Sequence, residues 1–202
     1  MATAHEEAKY KDYVKHINWI YHKTQVPPKV ILMGKNSETV PLRHYKLRIC
    51  EIARLDSSKD APPKSDLFDD FRQKNAFEDI TTEALIDDSK LAHKYLGTNN
   101  VVILDDYVVV TNRATLVEAI VKGETFLTDH GRFLFDLPIG ITISEPAVAI
   151  GYILSVAREA NANLRDIISS SRFLVEDIKL TVDQNATGVL GLRVYLKKTA
   201  LT

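Results

Sequence analysis

The side chains able to make or break bonds fall into a few short clusters. Asp66, Asp69 and Asp70 would share one helix face, an arrangement in which carboxylates gather a cation or divide acid and base work. Aspartate is also favoured in the first turn of a solvated helix, facing the positive end of its dipole, and that plainer use is preferred. Asp105-Asp106 stands between two apolar runs, as a hydrolase carboxylate pair or, in the commoner use of such residues, as a polar turn. His130 follows Asp129, an acid that could orient the imidazole as a general base. No serine or cysteine with a matching role stands nearby in sequence, so a turn histidine is the better reading. Cys50, the single cysteine, lies in a strand-like run and reads as a small apolar packing group.

Several familiar motifs are missing. The eight glycines are scattered singly, so there is no Gly-x-Gly-x-x-Gly and no Walker loop to cradle phosphates. There is no Gly-x-Ser-x-Gly elbow and no His-Glu-x-x-His either. Nucleotide-dependent catalysis, a metal and a cofactor are therefore not expected. With 26 basic and 27 acidic residues, no net field draws the molecule to nucleic acid or anionic lipid. Tyr10, Tyr13, Trp19 and Tyr21 lie among lysines and histidines, but their period fits a docking helix better than a nucleic-acid contact. The N-terminus is polar, and the longest uncharged apolar run, Pro146 to Ala157, falls short of the ~18 residues a bilayer span needs. A secreted, membrane-spanning or disulfide-stapled protein is not expected.

The elements that would position these groups follow from periodicity. Tyr10, Tyr13, Val14, Ile17 and Tyr21 recur at helical steps over Ala4 to Lys23, with Trp19 and Ile20 widening the apolar face. Val26-Pro27-Pro28 stops that helix. Lys29 to Met33 reads as a buried strand closed by Gly34, and His44 to Leu55 begins with strand alternation. Residues 56–90 are acid-rich and hold a loop over 56–64 and two helices, Ser65 to Asn75 and Thr82 to Leu96, the second ending at Gly97. A boundary near residue 98 divides an N-terminal extension, 1–98, from an α+β domain, 99–202.

In the second half, Val101 to Leu104 and Tyr107 to Thr111 read as a hairpin or two short strands. A helix capped by Thr111-Asn112 ends at Gly123, and a turn at Asp129-His130-Gly131 separates two short apolar runs. Ser144-Glu145-Pro146 starts a helix to Ala160. Ile178, Leu180 and Val182, then Leu192, Val194 and Leu196, alternate as a closing hairpin around 184–188. The expected fold class is α+β: a small mixed or antiparallel sheet packed by two or three helices, with an N-terminal helical extension and an acidic insertion.

Asp105-Asp106-Tyr107-Val108-Val109-Val110, Glu118-Ala119-Ile120, the stretch Leu127 to Arg132, Phe135 to Gly140, Val175 to Leu180 and Gly191 to Val194 follow one another with suggestive spacing. Over about residues 100–198 they resemble the baseplate wedge family of contractile phage tails, shared with the small sheath-initiating subunit of type VI secretion. The resemblance implies a non-enzymatic structural subunit of the virion, assembled in the host cytoplasm in several copies. It would join the wedge to tail sheath and tube-end proteins by strand addition at the terminal hairpin. The residues expected to meet partners are Ile178, Leu180, Val182, Leu192, Val194 and Leu196 on the hairpin, with Tyr13, Ile17 and Trp19 on the first helix. No nucleic-acid or membrane partner is expected. The alternative is a small hydrolase using His130 with Asp105, Asp106, Asp129 or Asp136.

Overall fold

A computed structural model describes residues 4–34, 50–55, 76–142, 158, 162–182 and 188–200. Its elements are α1 (Ala4–Thr24), β1 (Lys29–Met33), β2 (Glu51–Leu55), β3 (Ala76–Ile80), α2 (Thr82–Asp87), α3 (Ser89–Tyr95), β4 (Asn99–Leu104), α4 (Tyr107–Thr111), α5 (Arg113–Phe126), β5 (Leu127–Thr142), β6 (Phe173–Val182) and β7 (Gly188–Lys198). Residues 162–167 are also helical.

The strands form one seven-stranded sheet in the order β3-β2-β1-β4-β5-β7-β6. β1 pairs in parallel with β2 and β4, β2 with β3, and β4 with β5. β7 enters antiparallel between β5 and β6. The sequence explains the parallel half: Val30-Ile31-Leu32-Met33 and Val101-Val102-Ile103-Leu104 are apolar at every position, the pattern of strands covered on both faces.

Each face has its own cover. Ile31, Met33, Val102, Leu104, Phe133, Phe135, Val194 and Leu196 point to α2–α5 and the 162–168 segment, meeting Leu85, Leu116, Ile120, Leu164 and Ile168. Val30, Leu32, Ile52, Val101, Ile103, Leu134 and Tyr195 point the other way, to Tyr10, Tyr13, Val14, Ile17 and Ile20 of α1. The amphipathic first helix thus docks on its own chain. Trp19, expected on the apolar face, lies outside it and is 44% exposed.

The α+β class holds, but the sheet is larger than the expected small one, because β1–β3 of the first half join β4–β7 of the second. Tyr107–Thr111, expected as a strand from its valines, is helical: the Asp106 carboxylate accepts hydrogen bonds from the amides of Val108 and Val109 and starts the turn. The span Thr82 to Leu96 is two helices, since Asp88 ends α2 and caps α3. β5 runs on through Asp129-His130-Gly131, which forms a bulge with His130 in the left-handed region at φ 66°. The closing hairpin is present, and β6 begins earlier than its alternation showed, at Phe173. Of the expected helix from Ser144-Glu145-Pro146 to Ala160 only residue 158 is described, and it is helical; the helix over 65–75, the loop 56–64, the strand positions 44–49 and the turn residues 184–187 lie outside the described residues.

Gly123 is a packing residue rather than a helix end, since α5 continues to Phe126. A Cβ there would stand 2.1 Å from Cε2 of Phe133, a fully buried ring that also meets Phe135 and Phe173. Gly123→Ala is expected to destabilise the protein: overpacking costs ~1–3 kcal/mol and outweighs the ~1 kcal/mol gained in helix propensity. A lower denaturation midpoint with unchanged m-value in urea checks this.

Candidate active site at the carboxyl edge of the sheet

Strand order reverses between β1 and β4: from β1 the chain proceeds to β2 on one side, while β4 lies on the other. In open parallel sheets the crevice outside the carboxyl ends at such a point is where ligands bind. Met33 and Leu104 end these strands in register. Gly34 and Asp105 therefore sit side by side at the edge, joined by a hydrogen bond from the Asp105 amide to the Met33 carbonyl at 2.9 Å.

Gly34 has φ +109°, and a Cβ on it would lie 2.6 Å from the Asp105 carbonyl oxygen and 2.7 Å from the Asp106 Cβ. Only glycine permits both that conformation and that approach.

The same level of the sheet carries a row of charge. Leu104 pairs with Phe135, Asp136 with Arg193 and Arg193 with Lys179, so Asp105, Asp136, Arg193 and Lys179 follow one another across β4, β5, β7 and β6. α1 lays a second polar row over this one. Lys9 Nζ is 2.6 Å from Asp105 Oδ1, and the Tyr10 hydroxyl donates to Asp105 Oδ2. Arg193, fully buried, donates from Nε and Nη2 to the two Asp136 oxygens at 2.9 and 3.2 Å and from Nη1 to Asp12 at 2.5 Å.

Burial alone would lower the Arg193 pKa, but its hydrogen bonds to Asp136 and the charges of Asp136 and Asp12 raise it above the usual value. Burial, then the Asp136 charge, hold the Tyr13 hydroxyl well above the ordinary phenol range.

Of the sequence candidates, this edge gathers Asp105, Asp106 and Asp136. Asp106 is buried and occupied as the α4 cap. His130 is exposed on the bulge near the amino end of β5, and Asp129 there pairs with Arg172 at 3.6 Å. The hydrolase constellation does not converge, because β5 carries His130 and Asp136 toward opposite ends of the sheet. Burial pushes the Cys50 thiol up to about 12, so it stays protonated at neutral pH. No group of three His, Cys, Asp or Glu able to hold a metal occurs among the described residues; Asp66, Asp69 and Asp70 lie outside them.

The residues expected to face partners are distributed differently. Tyr13 and Ile17 are buried between α1 and the sheet. Leu192, Val194 and Leu196 are fully buried in β7, which is flanked by β5 and β6 and so has no open edge. Ile178 packs against the core from β6, where Leu180 and Val182 pair with Leu192 and Val189. Trp19 lies beside His16 and under Lys23 and Arg132.

Sequence reasoning missed Lys9, Tyr10, Asp12 and Arg193 as members of one site. Gly34 was legible only as a strand terminator. Its place directly behind an all-apolar strand was the one local signal of this edge.

No protein-family model matches the chain, and no curated protein matches it. Solved structures do. A magnesium protoporphyrin IX methyltransferase from Synechocystis PCC 6803, with bound SAH, superposes with TM-score 0.54 at 11% identity over 96% of this chain and 84% of that one. An O-methyltransferase from Bacillus cereus in complex with SAH gives 0.51 at 14% identity over 93% and 81%. The CurJ carbon methyltransferase gives 0.51 at 11% identity over 95% of this chain but 54% of that chain, so this chain spans about half its length.

At such identities the likeness is one of fold: the chain folds as these methyltransferases fold. That finding overturns the resemblance to the phage baseplate wedge family. The non-enzymatic structural role and the wedge, sheath and tube partners drawn from it fall as well. The weak point of that resemblance is physical: its short strand and helix motifs recur in any sheet closed by a hairpin.

Two outcomes test the electrostatics of this face. Arg193→Met leaves Asp136 and Asp12 without their buried partner and is expected to cost ~3–5 kcal/mol, read as a fall in urea midpoint. His16, on α1 beside Tyr195, is lowered from 6.5 to about 4, first by burial and then by the Arg132 charge. Between those values the unfolded chain binds the extra proton, so stability falls as pH drops from 6.5 toward 4. His16→Phe is expected to flatten that part of a Tm-against-pH curve; an unchanged slope would contradict the assignment.

Proposed function

We propose that this chain binds S-adenosylmethionine in the crevice outside β1 and β4 and transfers its methyl group to an acceptor. The observation that carries this is Gly34, held left-handed against Asp105 and Asp106 at the point where strand order reverses. Solved chains of the same fold, described as methyltransferases and holding SAH, support the choice of ligand.

The residue at the end of β1 suits such a ligand, since a glycine turn lets backbone approach it closely. The single glycine departs from the multi-glycine nucleotide fingerprint, which is why sequence motifs excluded a nucleotide-type cofactor.

When bound, S-adenosylmethionine supplies an electrophilic methyl on a positively charged sulfur. The chain's part is orientation and shielding. Gly34 sets the path of backbone at the crevice, and Asp105 holds the first turns of α1 over this edge through Lys9 and Tyr10, where they limit water.

Titration calorimetry with S-adenosylhomocysteine tests the proposal. Saturable binding is expected, weakened at least about tenfold, or ~1.4 kcal/mol, by Gly34→Val. Absence of heat and of any thermal shift with the wild-type chain would overturn it.

A further inference from the structure

We infer that Asp105 and the Tyr10 ring form a recognition subsite for a primary ammonium group, filled in the free chain by the protein's own Lys9. Lys9 Nζ stands 2.6 Å from Asp105 Oδ1 and 4.6 Å from the centre of the Tyr10 ring. The Tyr10 hydroxyl donates to the other Asp105 oxygen. Carboxylate and aromatic face are therefore tied together in one receptor. Charge-assisted hydrogen bonding and cation–π attraction act on the same nitrogen, the combination that recognises ammonium ligands.

The fold holds the receptor by contacts that do not involve its occupant. Asp105 is anchored by its amide to the end of β1, and Tyr10 is buried with Tyr13, their rings meeting edge to face at 6.3 Å. Lys9 reaches the site from the first turns of α1 and is buried beside Tyr10. The firm attachment of α1 lies further along, where Asp12 bonds to Arg193 and Tyr13 is fully buried. Lys9 can leave Asp105 without α1 leaving the sheet.

The subsite also adjoins Gly34, so an amine replacing Lys9 would lie at the crevice assigned above to the methyl donor. Taking that amine as the methyl acceptor rests on the proposed transfer activity; the ammonium subsite does not, and its test contains no methyl donor.

Lys9→Ala removes the atoms beyond Cβ, which n-propylammonium replaces. Propylammonium chloride is expected to raise the Tm of Lys9→Ala by several degrees more than sodium chloride at equal ionic strength. It is expected to do so for neither the wild type nor the double variant Lys9→Ala/Asp105→Asn. An equal effect on all three chains, or none on Lys9→Ala, overturns the subsite.

Should Lys9→Ala fail to fold, ammonium-selective nitrogen NMR of the wild type and of Asp105→Asn decides. With no amine added, the wild-type Lys9 signal is expected to stand apart from those of the exposed Lys11 and Lys15 and to join them in Asp105→Asn, and a Lys9 signal that the substitution leaves in place overturns the inference. Because S-adenosylhomocysteine binding is measured separately, failure here leaves the methyltransferase proposal intact, and failure there leaves the subsite intact.

Discussion

Arg193 is the side chain on which the arrangement of this molecule turns. It is a guanidinium with no solvent exposure, in the middle of a sheet, and its charge is balanced by Asp136 of the neighbouring strand and Asp12 of α1. A buried cation is tolerable only when its donors are met, so β5, β7 and α1 must come together in one register. That register brings Lys9 and Tyr10 onto Asp105, and Asp105 beside Gly34. The edge where a ligand would bind inherits its geometry from an ion network one strand further along.

The two faces of the sheet divide the work. The face toward α2–α5 is an apolar jigsaw in which Gly123 makes room for the Phe133 ring. Such a face contributes stability and resists change in volume. The face toward α1 is apolar in its middle and charged at its carboxyl edge, with one long helix spanning both regions. Apolar contact holds the helix, and the polar contacts at its beginning set what the crevice presents. Lys198 shows the same economy at the far end, where its ammonium caps the carbonyls of Glu124 and Leu127 that close α5.

A methyltransferase-type fold without a glycine-rich fingerprint shows how little of that fold resides in motifs. In this chain the fold is defined by strand order, with β7 inserted antiparallel between β5 and β6. The hairpin of β6 and β7 was legible from alternation, but alternation does not say that β7 is interior. Taking it for an edge made strand addition attractive and supported a structural role. Likewise Val108-Val109-Val110 has strand propensity, and it was the Asp106 cap and the burial of Val110 that made it helical.

By itself the sequence determined the local elements whose cause is local. The stripe of Tyr10, Tyr13, Val14 and Ile17 specifies a helix with one face to bury, and the apolar runs 30–33 and 101–104 specify buried strands. Asn112 specifies the start of α5. Only the tertiary structure decided which of the chain's charges meet. Lys9 and Asp105 are 96 residues apart, and Asp12 and Arg193 are 181 apart. A hydrogen bond between distant residues leaves no period or spacing in the chain, because its geometry is set by sheet order rather than by neighbours in sequence. The extended course of β5 also set His130 near its amino end and Asp136 further along, level with the end of β4, and so separated the site from its early candidate.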